Sequence, residues 1–212
     1  MRFFCKALIV ILVSASAYSV ARADSGLSDL LGLSDSELIL RPTPSITLSP
    51  DGIAKIDSQG NYHYFLKAKY FSPAIDIVNN KNLPKNELFK LLGSFVDASR
   101  KWDCKAIESL YSPETRTQLD NTLKEPAFAK QFAGLKRFAV TLIVEIQGRC
   151  FVYSLFDSTA AALPGYTPVV VTQGNGLLQL EAGELNEKES RPIGNFAQAL
   201  QYGILDVQPK GK

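Results

Sequence analysis

The chain has 212 residues, 46% hydrophobic and 21% charged, which is enough apolar material for one packed domain of ordinary size. Its 23 basic and 21 acidic side chains are interspersed, giving a formal charge of only +2. Such a chain lacks the concentrated basic field that dominates nucleic-acid affinity, which argues against a nucleic-acid partner.

The first residues combine Arg2 and Lys6 with an apolar run from Ala7 to Val13 and end in Ala21-Arg22-Ala23, the pattern of a secretory signal peptide over residues 1–23. The run is shorter than the roughly 20 apolar residues that span a bilayer, so no stable membrane anchor is expected. Removing the leader takes Arg2, Lys6 and Arg22 with it and leaves 20 basic against 21 acidic side chains, a charge of −1. The expected product is periplasmic or secreted, and the lack of any Asn-x-Ser/Thr sequence after the leader favours the periplasm. Cys104 and Cys150 remain after processing, and a pair of cysteines in an oxidising compartment predicts a disulfide. Closing its loop of 47 residues would contribute about 4 kcal/mol at most.

Residues 24–43, rich in Ser, Asp, Leu and Gly, read as a flexible arm with at best one short helix near Leu27 to Leu33. Strands are expected over 44–71, punctuated by turns at Ser49-Pro50-Asp51-Gly52 and Asp57-Ser58-Gln59-Gly60-Asn61. Tyr62, Tyr64, Leu66, Ala68 and Tyr70 recur at every second residue, the alternation of a half-buried strand, with His63, Lys67 and Lys69 facing away. Pro84 opens a helical half. Leu88, Leu91, Leu92, Phe95, Ala98 and Trp102 follow the 3.6-residue period, Asp103 can cap a second short helix, and Ser112-Pro113-Glu114 and Pro126 begin further turns. From Phe138 to about Ala182 four strands are predicted: 138–147, 150–157, 166–172 and 177–181, the last pair joined through Gln173-Gly174-Asn175-Gly176. Residues 183–212 read as a tail with one possible helix near Asn195 to Gly203.

The stretch Phe95-Val96-Asp97-Ala98-Ser99-Arg100-Lys101-Trp102-Asp103-Cys104, continuing through Ala106, Ile107, Leu110 and Tyr111 to Ser112-Pro113-Glu114, ends one helix, places an Asp, and runs a second helix to an aromatic and a Ser/Pro break. With the meander that follows, residues 84–182 resemble the nuclear-transport-factor-two-like superfamily, the cystatin-like α+β roll. The resemblance implies short helices on a curved, mostly antiparallel sheet, a cone whose concave face encloses a pocket, here preceded by a small N-terminal β-meander. The strands at 44–71 are candidates for the edge of that sheet. The superfamily holds isomerases, dehydratases and hydrolases as well as non-catalytic binding and assembly domains, so the fold selects no chemistry.

One histidine, His63, excludes two-histidine zinc sites and leaves a Ser-His-Asp arrangement without a G-x-S-x-G elbow; no metal and no cofactor is expected. A carboxylate in an apolar cone is the remaining catalytic option. Asp157 with Tyr153 on the same strand face is its candidate, and Trp102 and Tyr111 could line the same pocket. The ordinary readings are a strand-ending Asp and core aromatics. The favoured function is therefore an exported, non-catalytic binding or assembly domain of the cell envelope taking a protein partner or a small apolar ligand, and the alternative is a small pocket enzyme of the isomerase or hydrolase kind. If Cys150 faces the helices, Phe151, Tyr153 and Leu155 face away. That apolar side must then be covered, by the strands at 44–71 or by a second copy in a homodimer.

Overall fold

The computed structural model describes residues 25–119, 123–182, 185 and 187–209. The signal-peptide reading, its Ala21-Arg22-Ala23 site included, lies outside the described residues.

The short helix allowed near Leu27 to Leu33 is α1 (Ser25–Leu31), and where the rest of the flexible arm was expected the chain forms strand β1 (Ser34–Leu40). Polar composition hid a short alternation: Ser36, Leu38 and Leu40 are all buried, and β1 is hydrogen-bonded on both sides inside the sheet. Helix α1 buries Leu27 and Leu31, and the Ser28 hydroxyl donates to the Glu145 carboxylate beneath it.

The short β2 (Lys55–Ile56) and the long β3 (Tyr62–Asp76) flank the turn expected at Asp57 to Asn61. The Asp57 carboxylate there accepts from the backbone N–H groups of Gln59 and Asn61. Helix α2 (Glu87–Lys101) begins three residues later than Pro84 suggested. Its cap is Asn86, whose side chain accepts from the Phe89 N–H at 3.0 Å. Asp103 caps α3 (Cys104–Ser109) in the expected way, accepting from the Ala106 N–H at 3.1 Å. The Ser112-Pro113-Glu114 start yields only a 3-10 turn, Arg116–Gln118, because the chain is drawn onto the sheet: Ser112 N–H bonds the Leu180 carbonyl and Leu180 N–H the Leu110 carbonyl, both at 2.8 Å. Helix α4 (Pro126–Ala133) follows.

Strands β4 (Leu135–Ile146), β5 (Arg149–Ser158), β6 (Gly165–Gly174) and β7 (Leu177–Glu181) form the expected meander. The possible helix near Asn195 to Gly203 is part of the longer, 16-residue helix α5 (Glu187–Tyr202), and the rest of the expected tail includes strand β8 (Leu205–Pro209). The result is an α+β fold with one antiparallel, unclosed sheet of order β7-β6-β5-β4-β3-β1-β8, with β2 on β3. The strands at 44–71 are thus no separate meander, since β3 lies directly against β4. Among the described residues no helix is long and apolar enough to cross a membrane.

Both faces of the sheet are packed. Helices α1 to α4 share one core with Phe138, Val140, Ile143, Cys150, Val152 and Phe156. Helix α5, which carries the chain from one sheet edge to the other, shares a second core with Tyr64, Leu142, Val144, Phe151 and Tyr153. Strict alternation along β4 would place Phe138 to Ile146 at even numbers on one face. A bulge prevents it: Val140 pairs with Ser154 and Leu142 with Tyr153, so Thr141 is an extra residue and the sides exchange there. In β5 the alternation holds, with Cys150, Val152 and Phe156 toward α1–α4 and Phe151 and Tyr153 away. The covering of that second face comes from α5 together with the 46–54 segment, whose Leu48 is buried in the same core, while β2 and β3 join the sheet edge to edge. Ile193, Phe196, Ala199 and Leu200 sit on it, and Tyr64 and Phe196 rings meet at 4.6 Å.

The expected Cys104–Cys150 disulfide is absent: neither cysteine is disulfide-bonded. Trp102, at the junction of α2 and α3, packs on Phe132 at 6.3 Å, and Phe132 packs on Phe156 at 5.3 Å. Phe156 is six residues along β5 from Cys150, about 20 Å at strand rise. The start of α3 therefore lies over the far end of β5, well beyond the Cα separation of about 4.4–6.8 Å that a disulfide requires. The Cys104 thiol donates to the Trp102 carbonyl instead.

Candidate functional site

The four residues proposed to share a pocket do not meet. Trp102 and Tyr111 lie on the side of α1–α4, where Tyr111 packs on Phe95 at 6.4 Å. Tyr153 is fully buried on the opposite face, its hydroxyl donating to the Ile193 carbonyl of α5, and burial pushes that phenol well above its ordinary pKa. Asp157 stands opposite Arg137 near the end of β5. The period of two sends Tyr153 and Phe156 to opposite faces, so a strand holding one candidate over α5 cannot also aim it at the helices that hold the others.

The interior that the fold encloses is filled. Phe95 is ringed by Phe132 at 5.7 Å, Phe138 at 6.3 Å and Tyr111, and Phe132 bridges to Phe156 in an edge-on contact. Such T-shaped contacts are the preferred aromatic geometry, and this cluster occupies the place where a cone-shaped pocket was expected.

Space remains at the mouth of the fold as a cleft of about 250 Å³. Phe71 of β3 and Leu178 of β7 both line it. Those strands are four steps apart in the sheet, about 19 Å if the sheet were flat. A cleft of this size can touch both only because the sheet curls, which makes the face bearing α1–α4 the concave one. Ile143 forms part of the floor, Leu31 of α1 and Phe89 of α2 the walls. The extra residues between Tyr70 and Ile75 on β3 bring the chain out of register there, and Pro73 among them has no N–H for the ladder.

Lys69 stands in a mixed lining, where apolar side chains share the cleft with Lys85, Asn86 and Glu87. Its ammonium lies 3.4 Å from the Leu31 carbonyl at the end of α1 and 5.6 Å from the centre of the Phe71 ring. Lys85 stands at the rim beside Asn86 and Glu87. The Glu87 carboxylate is held by Lys90 at 2.6 Å, and Asn86 is engaged in capping α2. Glu145, two residues along β4 from Ile143, is bonded by Ser28. Among the charged residues of the lining, Lys69 and Lys85 stand against Glu87 alone, an excess of one positive charge. Sequence reading passed over these residues because Lys69 looked like an ordinary solvent-facing strand residue. The signal for it was its place between Phe71 and Lys67 on a strand whose other side is all apolar.

Polar clusters also lie outside the cleft, among them those of His63 and of Tyr64. His63 stands between the carboxylates of Glu37 at 2.8 Å and Asp57 at 3.1 Å, which raise its pKa, Glu37 foremost. Bonds from Asn61, then from His63, hold Asp57 far below the usual carboxylate range. Under α5, the Tyr64 hydroxyl donates to Asp51, and Asn195 donates to Asp51 at 3.2 Å, to the Tyr64 oxygen at 3.1 Å and to the Ser49 carbonyl at 2.8 Å. This second network ties the 48–54 segment to α5 and has the character of a structural seal. Among the described residues no group of three or more His, Cys, Asp or Glu side chains is placed to hold a metal ion. No protein-family model, curated protein or solved structure matches the chain.

Proposed function

We propose that the chain is an exported, non-catalytic binding domain of the cell envelope that takes a small apolar ligand in the cleft between α1, α2 and the curled sheet. The observation that carries this reading is the aromatic cluster around Phe95 and Phe132, which packs the place where a cone-shaped pocket was expected, while a cleft remains between α1, α2 and the sheet. Ligand sites combine apolar walls with placed polar groups; this cleft offers Ile143, Leu178 and Phe71 for the first and Lys69 for the second, beside the polar Lys85, Asn86 and Glu87. The helix–helix–meander order over 87–181 supports membership of the nuclear-transport-factor-two-like roll, a fold that serves binding domains as readily as enzymes.

Titration with a neutral naphthylamine dye, whose fluorescence rises in apolar surroundings, tests the reading. Saturable enhancement is expected in the wild type and its loss in Leu178→Trp, which fills the mouth from a half-buried position. Equal binding by both proteins, or none by either, would contradict the proposal. N-terminal sequencing of the exported product should begin at Asp24; a product beginning inside α1 would contradict the export reading.

A further inference from the structure

Resting on that reading of the cleft, we infer that its ligand is a small amphipathic anion, a medium-chain alkyl or aryl carboxylate, with the Lys69 ammonium as the residue that binds the head group. The argument is charge complementarity in a cleft whose lining combines apolar and charged side chains. The ammonium of Lys69 is placed at the cleft by contact with the Leu31 carbonyl and the Phe71 ring, neither of which neutralises it. An ammonium has three donors, and the Leu31 contact engages one of them. The carboxylate that shares the lining, Glu87, is already paired with Lys90, and Lys85 adds a second positive charge at the rim. An apolar tail against Ile143, Leu178 and Phe89 would therefore present its polar end to a net positive rim. A neutral head would leave the ammonium's donors to water. A cationic head would be repelled.

Calorimetric titration of the exported chain with octanoate and with octan-1-ol, which share one tail, tests this directly. Octanoate is expected to bind about tenfold more tightly than the alcohol, the factor that one hydrogen bond to a charged group supplies. In Lys69→Gln the two affinities should converge while that for octan-1-ol is unchanged, and Lys69→Arg should keep the preference. Because Lys69 also touches α1, the melting temperature of each variant is measured alongside, and Lys69→Arg retains both charge and contact. Equal affinity of the wild type for both ligands would overturn the anion inference and leave the apolar cleft standing. Retention of the preference in Lys69→Gln would overturn the role of Lys69. Binding of neither ligand would overturn the cleft reading itself.

Discussion

Phe196 is the residue on which the two-faced sheet depends, and its truncation gives a measurable expectation. It lies at the centre of α5, is fully buried, and packs on Tyr64 at 4.6 Å and on Tyr153 at 6.2 Å. Phe196→Ala removes the ring and leaves a cavity between α5 and β3–β5, which in packed cores costs about 3–5 kcal/mol. A domain of this size has about 5–15 kcal/mol in total and loses about 2–4 °C of melting temperature per kcal/mol, so a fall of about 6–20 °C is expected. Thermal melting followed by circular dichroism reads the change. Tyr202→Ala on the same helix, where the side chain is 60% exposed, serves as the control and should stay within about 0.5 kcal/mol of wild type. A Phe196→Ala protein that melts with the wild type would refute the claim that α5 covers this face.

The absence of a disulfide predicts the labelling pattern of the chain from Asp24 onward. Without reductant, native protein should take one alkyl group, at half-buried Cys104, and a second at Cys150 only on unfolding, since Cys150 is 1% exposed; a product that takes none in denaturant would mean that a disulfide forms after all. The His63 clamp predicts a pH window. A raised histidine stabilises fully below its ordinary value of about 6.5 and loses that contribution as pH rises through its higher folded midpoint. The lowered Asp57 contributes fully above about pH 4 and loses it only as pH falls through its own depressed midpoint. The clamp is thus fully formed between these limits, and proton NMR of the imidazole should show a midpoint above 6.5 that returns toward it in Glu37→Gln; a normal midpoint in the wild type would contradict the geometry.

Local chemistry was legible in the sequence, and long-range placement was not. The Asp103 cap, the Asp57 turn, the apolar face of α2 and the four-strand meander follow from spacing and turn residues, and the structure has each of them. Only the second half of α5 was legible, because Pro192 lies inside it, although Ile193, Phe196, Ala199 and Leu200 repeat at helical intervals. A second clue was available. The near-continuous apolar runs of β4 and β5 are what a sheet buried on both faces requires, whereas one-sided burial would alternate. The bulge at Thr141 leaves no mark in the periodicity when both faces are apolar, so the exchange of sides in β4 could not be read. The disulfide was inferred from compartment and parity of number, neither of which measures distance. The candidate pocket failed for the same reason: Trp102, Tyr111, Tyr153 and Asp157 were grouped by residue type, and the sheet lies between them.

The most direct test of the account is a methyl NMR titration of Ile- and Leu-labelled protein with octanoate. Binding in the cleft predicts saturable shifts at Ile143, Leu31 and Leu178, with Ile193 and Leu200 beneath α5 unmoved. Shifts centred under α5, or none at the three cleft methyls, would contradict the assignment of the site.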